Sequence, residues 1–270
     1  MYLKQERFVF LPKWSYGDVE IKAGYYDDDR FDRSKRIDVL DMDRIQNART
    51  LVVGAGALGN EVVKCLILSG FRNIMMVDMD DVTTSNLNRC VFFRESDVRN
   101  GMKVDIVAKR ASELDPDVKI IPKAIRIQEL KEWDFDIVLG CLDNISARLH
   151  TNAHCVYHNI PYVDGATDGL RGKVQVVLDD VCLQCTTNRT HAKIVDQRFS
   201  CTDSQHIFVP RMAAEITTTS VIAAIQVREA LKIISGRSDM CIINVFYYDG
   251  MTGETQILCA EQDPECPNHG

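Results

Sequence analysis

The stretch from Thr50 to Arg89 constrains this chain more than any other. It reads TLVVGAGALGNEVVKCLILSGFRNIMMVDMDDVTTSNLNR. Leu51, Val52 and Val53 form the short apolar run of a buried strand. Gly54, Gly56 and Gly59 come next at G-x-G-x-x-G spacing, Val62, Val63, Leu66 and Leu68 recur at near-helical spacing, and Gly70 stops the run. A second apolar run, Ile74 to Val77, ends on Asp78. The order is strand, glycine turn, helix, strand, acid, with the acid about 20 residues after the glycines, as a dinucleotide-binding unit requires. Further strand and helix patterns alternate to Val163, which predicts an α/β fold: a Rossmann-like, doubly wound, mostly parallel sheet.

The glycines have separate physical tasks. Gly54 lets the backbone turn sharply, Gly56 lets backbone N–H groups approach a phosphate, and Gly59 lets the helix pack on the strand. The helix N-terminus adds positive partial charge, and Asp78 can accept from ribose hydroxyls. The competing reading is a packing turn, but strand, helix and acid in the right order favour a nucleotide site.

The residues beyond Asp78 select the nucleotide. Asp80, Asn86, Asn88 and Arg89 crowd into DMDDVTTSNLNR, Lys103 lies in GMKVD, and Asp143 stands in LDN after the apolar run Ile137–Leu139. Basic side chains neutralise phosphate, and Mg²⁺ takes one or two carboxylates. This set suits ATP with Mg²⁺ better than the nicotinamide of a dehydrogenase.

Two cysteine-bearing pairs lie downstream. Cys182 and Cys185 form C-x-x-C, and Cys266 and His269 form C-x-x-H. Three sulfurs and one imidazole make a tetrahedral structural Zn²⁺ site, with Cys259 in reserve. A lone C-x-x-C would also fit a redox motif. The ten cysteines in 270 residues are not read as disulfides, because a chain this long builds its own core. A net charge of −7 without a Lys/Arg run argues against nucleic acid. No run of 18 apolar residues predicts a membrane helix, and the N-terminus lacks a signal-peptide pattern, so a cytoplasmic protein is expected.

The segments RFDRS (Arg30–Ser34), VVGAGALG, DMDDVTTSNLNR, GMK, LDN and DGATDGLRGKVQV together resemble the ubiquitin-activating enzyme superfamily, whose simplest members adenylate sulfur-carrier proteins for molybdopterin and thiamine biosynthesis. The resemblance implies adenylation of the C-terminal Gly-Gly tail of a ubiquitin-like or sulfur-carrier protein, in a homodimer. It implies that Arg33 reaches the triphosphate of the other subunit, although Ser34 stands where the family has Gln. It implies that Asp164 to Val177, read as irregular backbone before a strand, lines the channel for that tail. Related proteins commonly use four cysteines for zinc, so His269 is a departure. Cys201, in Cys-Thr after the C-x-x-C, occupies the place of the thioester nucleophile, from which a conjugating enzyme would take the acyl group. The sulfur-carrier reading shares the first step without that thioester, and an inactive scaffold subunit is a further alternative. Residues 1–29 read as an N-terminal extension and 30–270 as the adenylation domain. The segment Thr202–Glu215 leaves no room for a separate cysteine domain, and no C-terminal ubiquitin-fold domain is expected. A helix over Asp38–Ala48, a long one over Thr217–Ser235 and a final antiparallel hairpin complete the expectation.

Overall fold

The computed structural model describes residues 29–178, 181–187, 213–242 and 244–269. Two short helices, α1 (Asp32–Lys35) and α2 (Met42–Asn47), lead into β1 (Arg49–Val53). The expected Asp38–Ala48 helix is shorter because Asp41 caps it, its carboxylate accepting from the Arg44 N–H at 3.0 Å. Thr50 to Val53 are buried on both faces, as a central parallel strand requires. Helix α3 (Ala57–Ser69) comes next and stops at Gly70, whose φ of 104° is the left-handed C-cap. The chain continues through β2 (Asn73–Val77), α4 (Lys103–Leu114), β3 (Lys119–Lys123), β4 (Ile137–Gly140), α5 (Ile145–Tyr157), β5 (Tyr162–Asp168) and β6 (Arg171–Val177). They are followed by α6 (Leu183–Thr186), α7 (Ile216–Ile234), β7 (Val245–Asp249) and β8 (Glu254–Leu258).

The strands form one sheet in the order β3-β2-β1-β4-β5-β6-β7-β8. β3 through β5 are parallel, and β6, β7 and β8 add antiparallel strands. Strand order reverses between β1 and β4, and this switch point opens a crevice at the strands' carboxyl ends. One apolar layer, with Val62, Leu66, Val107 and Ile222, packs α3, α4 and α7 on one face. The other, with Leu51, Val53, Val138, Cys155 and Leu183, packs α5 and α6 on the opposite face.

The segment Asp164 to Val177 corrects the sequence reading. It is a regular antiparallel hairpin, Asp164 opposite Gln175 and Ala166 opposite Lys173, turning at Gly169 with φ 56°. Gly165 and Gly172 mark where α7 crosses closely. A Cβ on Gly165 would fall 2.2 Å from Gln226 Oε1, and one on Gly172 would fall 2.3 Å from Ile222 Cγ1. The fully buried Gln226 donates to the carbonyls of Gly140 and Val163, both at 3.0 Å, and so fixes the helix to β4 and β5. The long helix expected at Thr217–Ser235 is α7, capped by Glu215 through the N–H groups of Thr217 and Thr218. Among the described residues no helix is long and apolar enough to cross a membrane. The expectations for residues 1–28 and for Cys201 lie outside the described residues.

Candidate nucleotide site at the switch point

The glycine loop between β1 and α3 sits in the crevice, and its three glycines divide as their spacing predicts. Gly54 has φ 105°, and a Cβ there would strike the Cys141 carbonyl oxygen at 2.6 Å. Its N–H donates to the Val77 carbonyl at 2.8 Å. A Cβ on Gly59 would sit 1.9 Å from the Gly54 oxygen, so the third glycine is the contact between helix and turn. Gly56, the N-cap of α3, differs: a Cβ there would meet nothing within 4 Å among the described residues. The loop therefore leaves open space at the helix N-terminus, where unpaired N–H groups and the helix dipole favour an anion.

Asp78, at the end of β2, holds the loop. One carboxylate oxygen accepts from the Ala55 N–H at 2.7 Å and the other from the Asp80 N–H at 2.8 Å. Burial pushes this carboxyl above its ordinary range, opposed by the charge of Lys103 and by those two donors. Lys103 opens α4, donates its backbone N–H to the Asp80 carbonyl at 2.9 Å, and places Nζ 2.7 Å from Asp80 Oδ2. This lysine is only 8% exposed, and Asp80 supplies the opposite charge that a buried ammonium needs beside it. Asn86 is buried and caps its own turn, its side-chain oxygen accepting from the Thr83 N–H at 3.0 Å. Arg89 folds its guanidinium onto the Ser85 carbonyl and the Asn88 side chain. Asp143 is exposed just beyond β4.

Gly54, Gly56, Gly59, Asp78, Asp80 and Lys103 are thus brought together. Arg33 is not. The α1 segment lies at the far ends of α3 and α4: Phe31 packs at Gly70, and Arg30 Nη1 donates to the Leu114 carbonyl at 2.5 Å. Helix α3, 13 residues long, spans about 20 Å, which puts Arg33 out of reach of its own chain's loop.

Two residues of the site escaped sequence reading. Asn60, fully buried inside α3, donates to the carbonyls of Ala55 at 2.9 Å and Gly56 at 3.0 Å and accepts from the Phe92 N–H at 3.0 Å. It ties the loop to the segment carrying Arg89; a polar residue amid an apolar helix run was its signal. Arg148, on α5, forms a two-pronged pair with the fully buried Asp164, which also accepts from the Tyr162 hydroxyl at 2.7 Å. Lys173 stands half-buried on the same sheet face, and burial together with Arg148 lowers its pKa.

Cys182, Cys185, Cys266 and His269 converge, with ligand atoms all within 4.8 Å of one another. Sγ of Cys182 lies 3.8 Å from that of Cys185 and 3.6 Å from that of Cys266. Those separations exclude a disulfide and equal the roughly 3.8 Å edge of a tetrahedron of about 2.3 Å metal–sulfur bonds. Burial raises the Cys182 thiol, but hydrogen bonds from Asn152, Asn268 and the Cys185 backbone outweigh it and bring the group down to about 6. Burial pushes Cys266 up to about 12. His269 Nε2 is buried without a hydrogen-bond partner among the described residues, as an imidazole awaiting a metal would be. Cys259 is exposed and outside the cluster.

Comparison with known proteins places this arrangement. The chain is 40% identical over 156 residues to the NEDD8-activating enzyme E1 catalytic subunit of Arabidopsis thaliana, covering 51% of the chain and 34% of that protein. It is 36% identical over 151 residues to SUMO-activating enzyme subunit 2 of Dictyostelium discoideum, covering 53% and 22%. The chain thus spans about a third or less of these relatives' length. Among solved structures, E. coli MccB with ATP shares the fold at a TM-score of 0.74 and 20% identity, over 90% of this chain and 74% of that one. Residues 31–268 match the ThiF family; the chain belongs to that family.

Proposed function

We propose that this chain is an ATP-dependent adenylyltransferase that activates the C-terminal carboxylate of a ubiquitin-like or sulfur-carrier protein. The observation that carries the reading is the open space at Gly56, at a helix N-terminus on the switch point, flanked by Lys103 and Asp80. The relatives named for activating NEDD8 and SUMO support the class of partner.

Asp78 takes the ribose on the β2 side of the crevice, and the triphosphate lies over the glycine loop. The carrier tail enters from the β5–β6 side, where Lys173 offers positive charge to its carboxylate. That carboxylate is already ionised at neutral pH, so no general base is needed. One of its oxygens attacks the α-phosphorus; the bond from that phosphorus to the bridging oxygen of the β-phosphate breaks, and pyrophosphate leaves with the electron pair. Lys103 exchanges Asp80 for phosphate oxygens, Arg89 leaves the Ser85 carbonyl, and Asn86 donates from its amide. Arg33 of the partner subunit completes the cradle in a homodimer. These donors act where charge develops in the transition state. Asp143 and Asp80 would hold Mg²⁺, which supplies charge neutralisation at the phosphates. The three cysteines and His269 would hold a structural Zn²⁺ that pins the C-terminal segment to α6.

Cys201 would then attack the acyl-adenylate, giving a thioester and AMP, for transfer to a conjugating enzyme. The sulfur-carrier reading ends at the adenylate and passes it to a sulfur donor. The test is ATP–pyrophosphate exchange with Gly-Gly-tailed carriers, together with non-reducing gels of wild type and Cys201→Ala. Exchange plus a thiol-sensitive band lost in the variant supports the thioester branch. Equal exchange with no band selects the sulfur-carrier branch, and no exchange with any carrier overturns the proposal. Lys173→Gln should raise KM for the carrier while leaving ATP affinity unchanged.

A further inference from the structure

We propose that His150 and His154 form a second metal site, outside the nucleotide site and the cysteine cluster, for a borderline divalent transition-metal ion such as Ni²⁺, Cu²⁺ or Zn²⁺. The two residues stand four apart on α5, in HTNAHCVYH, so their rings project from one helix face. Their ring centroids are 4.6 Å apart and their planes are inclined by 52°. Two imidazoles bound to one ion through metal–nitrogen bonds of about 2.0–2.1 Å place their centroids about 4.5–5.5 Å apart. His158, the third histidine of this run, does not join them: its ring is nearly parallel to that of His154, 6.0 Å away.

The polar-group accounting points the same way. His150 Nε2 and His154 Nδ1 are both buried and without a hydrogen-bond partner among the described residues. Buried ring nitrogens are ordinarily paired, and an ion is one of the few things that satisfies two at once. Among the described residues the other histidine nitrogen in this condition is His269 Nε2, which belongs to the cysteine cluster. Burial lowers the pKa of both rings, helped by His154 at His150 and by His158 at His154, so both rings are neutral and their lone pairs available at neutral pH. Trp133 stacks on His154 at 4.4 Å and 9°, which fixes the orientation of that ring. A cleft of about 470 Å³, lined by His154, Tyr157, His158, Pro267 and Asn268, opens beside His154. Among the described residues no third histidine, cysteine or carboxylate closes on the pair, so water completes the shell and the ion is exchangeable. Imidazole donors select nickel, copper or zinc over calcium or magnesium.

The experiment titrates NiCl₂ into protein already loaded with one zinc per chain, by calorimetry and by quenching of Trp133 fluorescence, with Trp133→Phe to assign the signal. We expect one further saturable equivalent. His150→Gln and His154→Phe, the latter retaining an aromatic ring against Trp133, should each weaken it at least tenfold while keeping the first zinc and the wild-type melting temperature. His158→Ala should bind as wild type does. The absence of a saturable second equivalent, or its survival in the double variant His150→Gln/His154→Phe, would overturn the proposal.

Discussion

Gly56→Ala should separate folding from the nucleotide binding proposed for this chain. Gly56 has φ −73° and ψ −159°, a backbone that alanine adopts readily, and its added Cβ meets nothing within 4 Å among the described residues. Alanine is the poorer N-cap, by a few tenths to about 1 kcal/mol, but loses about 0.4–1 kcal/mol less unfolded-state entropy. The terms nearly cancel, so the melting temperature should move by no more than about 4 °C. The methyl group would fill the space that the phosphates need against the loop N–H groups. Losing one or two charge-assisted hydrogen bonds costs about 2–3 kcal/mol, or about 30- to 150-fold in Kd for ATP. Gly59→Ala is the contrast, since its Cβ lies 1.9 Å from the Gly54 oxygen; it should destabilise by about 3 kcal/mol or more. Calorimetric ATP titration beside thermal melts reads both. Wild-type ATP affinity in folded Gly56→Ala would refute the phosphate role of the loop, and unfolding of that variant would refute its open geometry.

Other outcomes rest on the same structure. Asp164→Ala strands the Arg148 guanidinium, 8% exposed, without its partner; urea unfolding should show a loss of about 3–5 kcal/mol, and Arg148→Met/Asp164→Leu should recover much of it. Asp97 accepts from both Arg110 nitrogens and from the Arg94 N–H, and Arg110 above all holds its pKa below the ordinary carboxylate value. Its stabilisation is therefore present above the unfolded pKa and lost as pH falls through the folded one. The stability gap between wild type and Asp97→Asn, about 1–2 kcal/mol at neutral pH, should shrink as pH drops below about 4. Chelating zinc should lower the melting temperature and expose the C-terminal segment to protease; Cys182→Ser should do the same, and His269→Cys should not, because thiolate is an equally good ligand.

Local features were the ones legible in the sequence. Strand, turn, helix and acid could be read because each rests on short-range periodicity and on conformations only glycine adopts. The Cys182–Cys185 and Cys266–His269 pairs could be read from two three-residue spacings, and their convergence followed from the chemistry of a four-ligand set rather than from spacing. Long-range contacts did not show. The glycines of the Asp164–Val177 hairpin looked like irregular backbone, yet the reason for them is α7, which crosses that hairpin from far downstream in the chain. The Arg148–Asp164 pair joins a helix to the following strand, and charge alone gave no reason to expect it buried. Asn60 went unread because its three hydrogen bonds, to the loop and to Phe92, join segments that sequence spacing does not relate. Arg33 lies at the far end of α3, out of reach of its own chain's glycine loop, and its role toward a neighbouring subunit rests on the resemblance alone.

Oxygen tracing tests the central claim most directly. A carrier protein labelled with heavy oxygen at its C-terminal carboxylate is turned over with ATP, and the nucleotide products are read by mass spectrometry. Attack on the α-phosphorus leaves one labelled oxygen in AMP, with unlabelled pyrophosphate. Formation of ADP, with the label in inorganic phosphate, would mean attack on the γ-phosphorus and would contradict the account.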